Sequence, residues 1–402
     1  GFAAWSTYAL VGLAVGYVSY RRGLPLTIRS ALTPLFGERM SGFAGHTVDF
    51  VAVVATILGV AVTLGLGVQQ FVAGLDRLGM GDWLMLADGS ASAMAIILAV
   101  IFLLGASTLS ALSGVGAGIR WLSNLNLGLS FVLLAIFLVF GAGVFGLESL
   151  GLGLIDYVVA LPSLALMVLS PDGTPTGDAL AQWQLDWSVF YWAWWIAWSP
   201  FVGMFIARIS RGRTIRQFVL GVLVVPVLFT FLWMTAFGNT AISLDMAGVA
   251  PLAQVVQDNL PTALFATLAE LPLSSITSVP ATLLIVTFFV TSADSGALVI
   301  DTITNGAAEA PPVWQRVFWA ICAGAVAAVL LVAGGLQALQ TAAIASALPF
   351  AVVMIFICYG LLKALAMEQA GGVPDYGVLP SQPVDPEISW KKRLSTITGS
   401  FR

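Results

Sequence analysis

Nine apolar runs are each long enough to cross about 30 Å of hydrocarbon; they lie near residues 2–20, 47–74, 93–112, 124–147, 186–208, 216–238, 275–301, 313–336 and 343–367. Backbone polar groups inside a bilayer must be satisfied within the segment that carries them, and a helix does this. The expected fold class is therefore an all-α integral membrane protein with nine transmembrane helices. Composition agrees: 9% of the 402 residues are charged, against about 25% in an average soluble domain.

Charge placement orients the chain. Arg21, Arg22, Arg29 and Arg39 follow the first run; Arg120 follows the third; Arg208, Arg211, Arg213 and Arg216 follow the fifth; Arg316 follows the seventh. Lys363, Lys391, Lys392, Arg393 and Arg402 lie at or after the last run, and only Arg77 of the sixteen basic residues falls in a loop of the opposite side. The opposite loops carry acids instead, among them Asp76, Asp82, Asp88, Asp172, Asp245 and Asp258. The positive-inside rule places the basic loops and the C-terminus in the cytoplasm, giving a multi-pass protein of the cell membrane. Glu148, Asp156 and Pro162 interrupt residues 148–170, which read as an interfacial helix on the outer side. The expected units are 1–147 with four spans, 148–185 with the interfacial helix and loop, 186–369 with five spans, and a cytoplasmic tail at 370–402.

Two cysteines, both in apolar runs, and a single histidine, His46, give no support to a disulfide framework, a metal-dependent enzyme or any other catalytic constellation. No cofactor and no nucleic-acid partner are expected; the partners are lipid and a small molecule. His46 and Asp49 stand at the start of the second span, where a lone histidine reads as a hydrogen-bonded structural residue in preference to a proton relay.

Chemistry concentrates in two segments. Residues 191–201 hold Trp192, Trp194, Trp195 and Trp198 within seven positions. Spacings of three and four put Trp194, Trp195 and Trp198 on one helical strip. Several π faces in one place suit a quaternary ammonium group, which has no N–H to donate. An interfacial aromatic belt is the alternative reading. Ser199-Pro200 follows, and proline frees a carbonyl that needs a partner. The other segment, residues 288–296, offers Thr291 and Ser292 as an oxygen shell for a hard monovalent cation, with Asp294 as either a functional or a backbone-pinning acid. The glycines of residues 59–67 read as packing positions.

The run at 194–216 resembles the betaine/carnitine/choline transporter family. So do Arg22-Gly23-Leu24-Pro25-Leu26, Pro34-Leu35-Phe36-Gly37, Leu64-Gly65-Leu66-Gly67, Gly118-Ile119-Arg120-Trp121-Leu122-Ser123-Asn124 and residues 291–296, in the family's order. The resemblance implies an inverted-repeat (LeuT-like) fold of twelve helices and a homotrimer contacting through residues 148–170. It aligns Gly1 with the family's fourth helix, so that three helices, the first of repeat one among them, are expected upstream. It implies a substrate box of Trp5, Tyr8, Trp194, Trp195, Trp198 and Phe201. It also implies a sodium half-site of Phe288, Thr291 and Ser292, in which Thr291 and Ser292 are the candidate Na⁺ ligands. Thr56 matches one of the paired threonines of a second ion site, whose other position is Val60 here. The function expected is symport of quaternary ammonium compounds such as choline or glycine betaine, driven by a sodium or proton gradient. Ion-independent exchange of the same solutes is the alternative.

Overall fold

The computed structural model describes residues 1–113, 120–141, 143–306 and 313–370. The tail beyond residue 370 and the Gly118-Ile119 part of the family-like motif lie outside the described residues. Within them the chain is helical, with one isolated bridge between Met85 and Ala91.

The helices in order are α1 Phe2–Arg22, the single turn α2 Thr33–Phe36, α3 Phe43–Arg77, α4 Ala93–Ser113, α5 Arg120–Phe140, α6 Gly143–Leu166 and α7 Pro175–Trp183. There follow α8 Phe190–Ile209, α9 Ile215–Leu223, α10 Val225–Met246, α11 Leu252–Asn259, α12 Ala263–Ala269, α13 Ser274–Thr304 and α14 Val313–Gln369. Their ends follow local chemistry. Gly23 adopts a left-handed conformation (φ 72°) after α1, and Pro25 prevents continuation. Thr214 and Gln217 form a reciprocal capping box at the start of α9.

Nine helical stretches among the described residues are long and apolar enough to cross a membrane, but they are not the nine drawn from the sequence. The fourth expected span runs to residue 147, whereas α5 stops at Phe140, and residues 143–166 form α6. The unit boundary at 147–148 therefore falls inside a helix, because one exposed acid, Glu148, does not interrupt helical hydrogen bonding. By length and composition Glu148–Leu166 could itself span, and none of that stretch is buried. The last two expected spans are the two halves of α14, which meet at a kink: Gly334 and Gly335 have non-helical backbone, the latter at φ 58°, beside the expected break after residue 336.

α3 is the hub, packed against α8, α13 and α14. Its glycines open each contact: Gly59 faces Trp198, Gly65 faces Leu339, Gly67 faces Phe289 and Gly74 faces Thr282. The packing reading of this stretch thus has a specific partner at each glycine. Val60 touches Gly296 and Gly67 touches Phe289, which sets α3 and α13 antiparallel. α1 and α8 meet backbone to backbone, with a Cβ on Gly12 only 3.0 Å from the Gly203 carbonyl and one on Gly203 2.6 Å from Val11.

Candidate functional site

The close α1–α8 crossing brings the two halves of the expected aromatic box together. Tyr8, 6% exposed, lies in one apolar cluster with Trp5, Trp195 and Trp198, closed by Ile206 and Phe218. Trp5 meets Tyr8 edge-on at 5.6 Å between ring centroids. Along α8 the rings form a continuous ladder: Tyr191–Trp195 at 6.0 Å, Trp194–Trp198 at 6.0 Å and Trp198–Phe201 at 5.4 Å. Trp192 is 40% exposed, and its one ring contact among the described residues is with Trp195, so it stands apart from the others.

The ladder has polar points. The Trp194 indole N–H donates to the Gly59 carbonyl at 3.2 Å, anchoring the ring to α3. The Trp198 indole N–H is buried and has no hydrogen-bond partner. A π-lined space with an unused donor can hold an onium group against rings while offering a hydrogen bond to an oxygen. The carbonyl freed by Pro200, that of Ile196, is already taken: Ser199 donates its hydroxyl to it at 2.7 Å. The bend beside the box is satisfied within its own helix and offers no bare carbonyl.

On α13, Phe288, Thr291 and Ser292 share a face by spacing. Phe288 is 48% exposed, and the two hydroxyl residues are half-buried. Thr291 donates back to the carbonyls of Thr287 (2.8 Å) and Phe288 (3.2 Å), leaving its oxygen lone pairs free to accept a cation. Thr56 is not brought to them. It is fully buried on α3, donating to the Ala52 carbonyl at 2.7 Å, and the antiparallel register sets it opposite Ile300. That is about 13 Å along α13 from Thr291. Val60, where a second hydroxyl would stand, is packed against Gly296.

Asp294, one turn beyond Thr291, has found partners that sequence did not suggest. It is 2% exposed and accepts hydroxyl hydrogen bonds from Ser107 at 2.5 Å and Ser110 at 2.6 Å, both on α4. Their spacing of three residues on a helix was the available signal, legible only once α4 and α13 are neighbours. Asp49 pairs with Arg29 at 3.2 Å, and His46 lies 3.5 Å from the same guanidinium, an arrangement that ties α3 to the preceding loop. A cavity of about 1040 Å³ lies between α1, α9 and the ends of α8 and α14, with Arg21, Arg211 and Arg213 on its wall; it reaches Phe218 but is lined by none of the six expected box residues.

Comparison with known proteins bears directly on this geometry. The family model described as betaine/carnitine/choline family transporter matches residues 1–370. An uncharacterized transporter of Mycobacterium tuberculosis is 45% identical over 92% of this chain and 60% of its own length. The high-affinity choline transport protein of Escherichia coli is 42% identical over 99% of this chain and 57% of its own. The glycine betaine transporter of Acinetobacter baylyi is 42% identical over 99% and 58%. The chain thus spans about three fifths of the length of the curated relatives it matches.

Proposed function

The chain belongs to the betaine/carnitine/choline transporter family, a family of multi-pass membrane transporters, and on that premise we propose that it serves the import of quaternary ammonium solutes such as choline or glycine betaine. The observation that carries the proposal is the meeting of Trp5 and Tyr8 from α1 with Trp195 and Trp198 from α8 in one cluster. No carboxylate is needed there, because ring faces attract the onium head and the unused Trp198 N–H can meet an oxygen. Import is driven by a sodium or proton gradient. The Thr291 and Ser292 oxygens are the ion's ligands on α13, and the rest of its shell comes from other parts of the transporter. The inverted-repeat arrangement, the homotrimer and the cytoplasmic C-terminus belong to the same proposal.

Ion-independent exchange is favoured by one observation, the packing of Val60 on Gly296 where a second ion-binding hydroxyl would stand. Uptake of labelled choline and glycine betaine into proteoliposomes tests both readings. Uptake should require an inward sodium or proton gradient and fall at least tenfold in Trp195→Ala and Trp198→Ala. Normal uptake by both variants refutes the aromatic box. Uptake indifferent to both gradients but stimulated by internal solute establishes exchange.

A further inference from the structure

Threonines in these helices commonly donate the hydroxyl to a carbonyl three residues back, as Thr277 and Thr287 do, or four residues back. Thr56 bonds Ala52 (2.7 Å), Thr230 bonds Pro226 (2.8 Å), Thr291 bonds Thr287 (2.8 Å) and Thr302 bonds Leu298 (2.8 Å). Thr63, in the middle of α3, differs. Its hydroxyl is buried and has no partner. The carbonyl four residues back is that of Gly59, which accepts the Trp194 indole N–H instead.

The direction of this hydroxyl follows from helix geometry. Gly59 faces α8 at Trp198, while Val60 and Gly67 face α13 at Gly296 and Phe289. At about 100° per residue, Thr63 lies about 40° from Gly59 and about 40° from Gly67, on the strip between those two faces. The Gly59 carbonyl points along the axis toward the turn that holds Thr63, so Trp194 and Thr63 stand at one level. The strip of α3 between these two faces therefore carries the carbonyl that holds the Trp194 ring and, one turn on, the unpaired Thr63 hydroxyl.

Resting on the onium-transport reading above, we infer that Thr63 holds the oxygen-bearing end of the solute while the rings hold its quaternary head. A hydroxyl both donates and accepts, so it serves the carboxylate of a betaine and the hydroxyl of a choline alike. Burial makes the bond selective, because a solute with no oxygen gains nothing from it and leaves Thr63 as it is in the solute-free protein.

The test is binding of choline, glycine betaine and tetramethylammonium to the intact transporter, wild type against Thr63→Val, Thr63→Ala and Thr63→Ser. Valine keeps the shape and removes the hydroxyl. The expected result is a loss of affinity of roughly three- to tenfold for choline and glycine betaine in Thr63→Val and Thr63→Ala. Tetramethylammonium affinity should stay unchanged in both, and Thr63→Ser should behave as wild type. Equal weakening of all three solutes, or of none, overturns the inference. So does a changed sodium requirement with unaltered solute affinities, which would assign the hydroxyl to the ion. Wild-type protein that binds none of the three refutes the transport reading itself, whereas unselective binding by Thr63→Val refutes only the role of Thr63.

Discussion

Ser110 on α4 donates its hydroxyl to the Asp294 carboxylate on α13 at 2.6 Å, and with Ser107 it pins the segment that carries Thr291 and Ser292. Each hydroxyl removed leaves a buried charge less well satisfied. Ser107→Ala and Ser110→Ala should each destabilise by about 1–2 kcal/mol, seen as a lower Tm in detergent. In an Asp294→Ala background the same serine changes should cost almost nothing further. Additive losses would mean that the three residues do not form one unit.

Gly59→Ala and Gly74→Ala separate the cage from the scaffold. A methyl on Gly59 would stand 2.9 Å from Trp198 Cδ1 and 3.2 Å from the Ala197 backbone. One on Gly74 would meet Thr282 Oγ1 at 2.6 Å and Phe265 at 2.8 Å, far from the rings. Both should lower Tm, since overpacking costs about 1–3 kcal/mol. Only Gly59→Ala should also weaken onium binding, by roughly tenfold, because Trp198 must move. Intact solute affinity in Gly59→Ala protein would dissociate Trp198 from the substrate.

Gly335→Ala isolates backbone strain. No atom stands within 4 Å of the added methyl, but φ at this position is 58°. With ψ at −143° the backbone lies in a region that only glycine adopts readily, so the expected cost is about 1–3 kcal/mol, with no change in the packing around it. An unchanged Tm would show that the break in α14 relaxes freely when a side chain is added.

Arg21 and Arg22 share Glu368 at the far end of α14, yet they should behave differently. The Arg21 side chain is 68% exposed and that of Arg22 only 5%, with Arg22 also donating to the Tyr17 hydroxyl at 3.1 Å. Arg21→Ala should leave Tm nearly unchanged, as exposed pairs do. Arg22→Ala should lower it clearly, because a buried cation and its packing are lost. Equal effects of the two changes would contradict this ordering.

Much of this fold is written in composition. Runs of apolar residues locate most of the helices, and small residues in 59–67 announce close contacts before their partners are known. What composition conceals is which polar group answers which. The two serines of α4 sit 184 and 187 residues from Asp294, and no local pattern links them. Thr63 looks like any other helical threonine, and nothing local tells that its hydroxyl stays unpaired beside the carbonyl that Trp194 uses. The end of α5 at Phe140 is hidden for a simpler reason. Hydropathy reports how apolar a stretch is and is silent on where its axis turns.

At the crossing of α1 over α8, neither Gly12 nor Gly203 interposes a side chain of its own between the two backbones. Two rods in such contact cannot slide or rock against each other without collision, so they travel as one body. On the transport reading proposed above, Tyr8 and Trp195 then keep a constant spacing through the cycle. Paired distance reporters on α1 and α8 should read the same value whether the protein opens outward or inward. On that same reading, capture and release of the solute are then governed by what approaches this body from outside, α13 foremost, and not by any widening of the cage itself.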